Sequence, residues 1–176
     1  MYRTRTALAS TAVAGLAIAA MISVATPAAA DSQTTAVAAV EAGALSISAP
    51  TALTLGSAAP GTTGSATLEG VVVTDDRAGT DGWVASVTVT DFSSASVDRQ
   101  LPASALTYAP GQAVVTGTAT LTPSTVTGST TAAAVQTAAA VSGNNTATWD
   151  ATVGLAVPAD ALAADDYTAT ITHSVA

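Results

Sequence analysis

Few residues in this chain have side chains suited to chemistry, and they are widely spread. His173 is the single histidine and is followed by Ser174. With a carboxylate from elsewhere, that pair would supply the parts of a hydrolytic triad, an imidazole taking the proton of a hydroxyl nucleophile. No Gly-x-Ser-x-Gly elbow surrounds Ser174, so His173 reads as a residue near the end of a strand. Asp75, Asp76 and Asp81 gather the oxygen donors that calcium prefers, yet lack the regular spacing of a calcium loop. Their simpler reading is a solvated turn in which Arg77 pairs with a neighbouring carboxylate. Trp83 and Trp149 offer indole faces on which a sugar ring can stack. Tyr167 and His173 complete the set of candidate ligand contacts. Both tryptophans also lie on the apolar side of alternating runs, where packing in a core competes with exposure in a groove. The chain has no cysteine nucleophile, metal-ligand cluster or paired-carboxylate signature. Neither catalysis nor a cofactor is expected.

The elements that position these residues show a period of two. From Trp83 the residues Trp83, Ala85, Val87 and Val89 alternate with Ser86, Thr88 and Thr90, the pattern of a half-buried strand. Ala147, Trp149, Ala151, Val153, Leu155 and Val157 repeat it against Thr146, Thr148, Asp150 and Thr152. A last strand runs from Tyr167 through Ala169, Ile171 and His173 to Val175. Weaker strands are expected over 44–48, 66–74 and 113–122, each bounded by Gly, Pro or Ser. Pro158–Ala164 reads as one helical turn capped by Asp160. Residues 31–43 read as a flexible arm, and 123–142 as an Ala, Thr and Ser insertion whose form as hairpin, short helix or mobile loop the sequence leaves open. The expectation is an all-β chain: a single antiparallel β-sandwich of the Ig-like or Greek-key type over 44–176, with small and β-branched side chains in its core.

Ahead of this domain, Arg3 and Arg5 precede an apolar run over 7–24, and Pro27-Ala28-Ala29-Ala30 then offers a small-residue cleavage site before Asp31. Residues 1–30 are therefore expected to be a cleaved signal peptide, with no membrane insertion of the mature chain. The two arginines are not adjacent, which leaves the twin-arginine route without support. Removing them leaves Arg77 and Arg99 against twelve acidic residues, a net charge of −10. Nucleic acid is excluded as a partner, and anionic surfaces repel such a chain at long range. With no cysteine there are no disulfides, and with no lysine there is no Lys–Asn isopeptide crosslink, so stability must come from sheet packing. The end of the chain carries no sortase-type signal and no apolar spanning tail, which favours non-covalent attachment.

The string Val73-Thr74-Asp75-Asp76-Arg77-Ala78-Gly79-Thr80-Asp81-Gly82-Trp83, followed by a Val/Thr strand and Asp91-Phe92, resembles the first signature of the WxL surface domains. That signature runs from an Asp-x-Arg-Gly-type turn into Gly-Trp-x-Leu. Leu101-Pro102-Ala103-Ser104, Tyr108, Gly143-Asn144-Asn145 and Pro158-Ala159-Asp160 resemble the intervening landmarks, and residues 167–175 the closing strand. The resemblance covers roughly residues 44–175. The triplet Trp83-Val84-Ala85 lacks the family's Leu, and His173-Ser174-Val175 lacks its Trp.

The resemblance implies a secreted protein, extracellular or associated non-covalently with the wall, whose partner is cell-wall polysaccharide or peptidoglycan. An alternative class is a structural or adhesive subunit that assembles with itself or with a surface protein through open β edges. Binding to insoluble peptidoglycan separates the first class from the second.

Overall fold

The computed structural model describes residues 33–176; the expected signal peptide lies outside the described residues. The chain divides after Ala38, and Ala39–Ala176 forms the β domain. Residues 33–42 are exposed and carry no regular structure, and at Gly43 the backbone begins to pair with Asp76.

Eight antiparallel strands make up the domain: β1 (Leu45–Ser48), β2 (Thr63–Asp75), β3 (Trp83–Val89), β4 (Leu106–Pro110), β5 (Val114–Pro123), β6 (Val126–Thr127), β7 (Ala133–Ala156) and β8 (Ile171–Val175). The only helical element among the described residues is a 3-10 turn at Ala103–Ala105. This is the expected all-β fold, a sandwich-like sheet that is nearly closed, with β1 and β8 at the two ends of the main path lying near each other.

The 24-residue β7 organises the rest. Its first part pairs with β3, with Trp83 opposite Ala138 and Val87 opposite Ala133. Its second part pairs with β2, from Asp75 opposite Asn145 to Thr63 opposite Ala156. The other edge of β7 pairs with β5 over both parts and with β4 near its end. One strand thus serves both layers, the outer members being β1 beside β2 and β8 beside β3. Between its two parts β7 bends, with Ala140 and Gly143 both at positive φ and the β5 register shifting beside them. The interval 123–142 supplies β6, which pairs with β4, and the first part of β7, which pairs with β3 and β5.

Alternation within the strands builds the core. Leu68, Val71 and Val73 of β2, all inward residues of β3 and Ala147, Trp149, Ala151 and Val153 of β7 are buried. In β2 the inward positions change from even to odd at a bulge between Leu68 and Val71, where Asp150 Oδ1 accepts the Gly70 N–H at 2.8 Å. The extra residue switches which face each later side chain meets. Two expectations are corrected. The last strand starts at Ile171, and Tyr167 precedes it, because Thr168 bridges to Ser93 and Asp166 gathers the backbone N–H groups of Ala95 and Ser96. Pro158–Ala164 forms a turn closed by Ala161 N–H on Pro158 O, without a helix, and Asp160 pairs with Arg99.

Gly82 approaches the neighbouring backbone so closely that a Cβ there would lie 2.4 Å from Ala138 O, whereas one on Gly79 would meet nothing nearer than 3.9 Å. Gly82→Ala is expected to destabilise the domain by roughly 1–3 kcal/mol through forced backbone displacement. Gly79→Ala should leave the denaturation midpoint nearly unchanged, and urea titrations of the two variants check the contrast.

Candidate functional site

Two places gather the residues singled out by the sequence, and they lie at opposite ends of β2. At the Asp75 end the chain leaves one layer, turns through residues 76–82 and enters the other at Trp83. Asp75 is 2% exposed, and its carboxylate is held by Arg77 through Nε (2.8 Å) and Nη2 (3.1 Å). Arg77 Nη2 also donates to the carbonyls of Asp81 and Gly82, so one guanidinium fixes both sides of the turn. Asn145, opposite Asp75 in β7, donates to Asp75 Oδ2 at 3.3 Å and accepts the Trp83 indole N–H at 3.2 Å. The hydrogen bonds from Arg77 hold the Asp75 carboxyl below its ordinary value, and the same partner raises the Arg77 guanidinium.

These contacts revise the calcium reading. Asp75 has its oxygens committed to Arg77 and Asn145, Asp76 and Asp81 are exposed, and no cluster of three metal-ligating residues occurs among the described residues. The tryptophans are revised too. Trp83 and Trp149 are 1% and 2% exposed, so neither presents a ring face to a ligand in the folded domain. Their burial follows from the side of the strand they occupy, with Trp83 anchored through its N–H at the bend and Trp149 packed opposite Val71.

The second place is a cleft of about 820 Å³ between the segments 50–64 and 157–171. Tyr167 and His173 both line it. Tyr167 is half-buried and donates its hydroxyl to Leu162 O at 3.1 Å. His173 Nε2 lies 3.2 Å from the hydroxyl of Tyr108, a fully buried residue, with the rings edge to face at 5.6 Å. Burial pushes His173 below its ordinary value and Tyr108 above its own. The Trp149 N–H partly offsets the rise on Tyr108, although it finds no partner of good hydrogen-bond geometry. Ser174 is exposed, and as the next residue of a strand it points to the opposite face from His173, which leaves the imidazole without that nucleophile.

Tyr108 and Asn145, which position His173 and Trp83, were not singled out as site residues from sequence. Asn145 entered only as part of the Gly143-Asn144-Asn145 landmark, and its register opposite Asp75 gives it a role.

Fold and site describe an all-β domain whose Asp75–Trp83 turn is a structural clamp and which carries an accessible cleft away from it. Residues 31–176 match the WxL domain, described as surface cell wall-binding, and the chain belongs to that family. No curated protein and no solved structure matched the chain.

Two predictions follow from the clamp and the imidazole. Asn145→Ala orphans the Trp83 N–H and removes a donor from Asp75, and should cost about 2 kcal/mol, whereas Trp83→Ala should cost roughly 3–5 kcal/mol; denaturant melts measure both. A lowered folded value for His173 means that the unfolded chain binds its proton first as pH falls. Its contribution is thus complete above about 6.5 and erodes below it. By the same sign, the contribution of Asp75 is complete above 3.8 and is lost as pH falls further, through its folded value. Between pH 7.5 and 5.5 the unfolding midpoint of the wild type should fall relative to that of His173→Gln.

Proposed function

We propose that residues 31–176 act as an exported, non-catalytic module that holds the peptidoglycan-containing cell wall non-covalently. The single observation that carries this reading is the match to a surface cell wall-binding family over the whole of that span. Export rests on the signal-like pattern of residues 1–30, and the absence of catalysis on His173 being committed to Tyr108 and separated from Ser174.

The physical problem for such a module is charge. A net charge of −10 after residue 30 opposes an anionic wall. Salt removes that repulsion beyond roughly 8–10 Å. The attraction must then be short-ranged, made of hydrogen bonds and ring contacts. Of the Trp and Tyr candidates, Tyr167 is the one that borders an open concavity, so the ring role first given to the tryptophans passes to it.

Pelleting the mature chain with insoluble peptidoglycan tests the reading. Bound fraction should hold steady or rise as salt is added, and a collapse with salt would reject the short-range mechanism. Tyr167→Ala, shown to be folded by circular dichroism, should weaken binding by roughly three- to tenfold, the value of one aromatic contact. If the wild type stays in the supernatant but elutes as an assembly on size exclusion, the β-edge alternative replaces wall binding.

A further inference from the structure

The cleft has a composition unlike the rest of the domain. Seven of the nine leucines that follow residue 30 border this one concavity, Leu68, Leu101 and Leu106 as buried members of the core and Leu53, Leu55, Leu155 and Leu162 with surface left open. The single Phe, Phe92, joins them, together with Ile171 of β8. Leu53 and Leu55 come from the irregular segment between β1 and β2, Leu68 from β2, and Leu101 from the segment before β4. The buried leucines and Phe92 form the floor, whereas Leu53, Leu55, Leu155 and Ile171 are only half-buried and Leu162 is exposed; the aliphatic surface these five leave open around some 820 Å³ gains dispersion contact when an apolar ligand enters. The volume lies within the range of small-molecule sites.

Polar groups in the cleft restrict the ligand further. Its lining includes Asp165 and no arginine, so an anionic headgroup finds no counter-charge. The Tyr167 hydroxyl already donates to Leu162 O. His173 has Nε2 on Tyr108, which leaves Nδ1 for a ligand. With Nε2 as acceptor, Nδ1 carries the proton and donates; with Nε2 as donor, Nδ1 accepts. A hydroxyl can answer either tautomer, whereas a carboxylate can answer only one.

We propose that this cleft binds one neutral aliphatic lipid, an acyl chain lying among the leucines and an uncharged hydroxyl-bearing head hydrogen-bonded to His173 Nδ1. The site shares Tyr167 at its border with the proposed wall contact, but it does not rest on that reading, and its test is made without wall material.

The test uses Nile red as a reporter and monoolein as the competing lipid, on the mature chain. Nile red fluorescence should rise saturably with one site per chain, and monoolein should displace it at least about tenfold more effectively than oleate, whose chain is the same but whose head is anionic, a difference of about 1.4 kcal/mol. Leu55→Arg should abolish reporter binding. Because that variant could lose its fold, Ala161→Trp, which fills the cleft from its other wall, serves as the second block, with circular dichroism on both. His173→Phe should retain Nile red and bind monoolein roughly three- to tenfold more weakly, the value of one hydrogen bond. Absence of saturable binding, equal displacement by oleate, unchanged monoolein affinity in His173→Phe, or undiminished reporter binding in a folded Ala161→Trp domain would each overturn the proposal.

Discussion

A buried carboxylate governs this fold. Asp75 sits at the point where the chain must leave one layer for the other, and a charge there is tolerable only with partners in place. Arg77 supplies a bidentate partner two residues on, and Asn145 a second one from across the sheet. Because Asn145 also receives the Trp83 indole, the ligands of one carboxylate tie the end of β2, the start of β3 and the bend of β7 together. Removing Arg77 leaves an uncompensated carboxylate in the interior, which is costlier than never having placed it there, whereas Arg77 itself stays partly in solvent. The Asp-x-Arg and Gly-Trp elements of the signature are thus parts of one clamp. Gly82 belongs to it because Ala138 O leaves no room for a side chain at that position.

The clamp and the cleft divide the domain between them. β2 spans 13 residues from the cleft side to Asp75, roughly 40 Å of extended chain. At one end the layers are joined by β7 passing from one to the other. Toward the other end the space between them is lined by leucines. The Asp75–Trp83 part of the signature therefore sets the geometry of the sandwich away from the cleft, whereas His173 of the closing triplet lines it.

Alternation made the strands at Trp83 and at Ala147–Val157 legible, because Trp, Val and Leu recur there at every second or fourth position against Ser and Thr. The first part of β7 was not legible for two physical reasons. Ala and Thr differ too little in size and polarity to mark a face, and the register shift opposite Ala85 and Ser86 buries Val135 and Gln136 in succession, breaking the period. The tryptophans were correctly placed on inward faces, but whether an inward face is covered depends on the opposing layer, which no local pattern reports. Neither the cleft nor the pairing of His173 with Tyr108 could be read in advance, since their residues come from segments far apart in the chain.

The position of β7 late in the chain bears on how the molecule is made. β2 and β3 both depend on it, with Thr67 paired to Thr152 and Trp83 to Ala138. A chain delivered from its amino end therefore presents β1, β2 and β3 long before their central partner exists. Such distant pairings slow folding and leave strand edges open to other chains in the interval. The outward positions of these early strands are rich in Thr and Ser and sparing of Val, so the face they present before β7 is in place is polar.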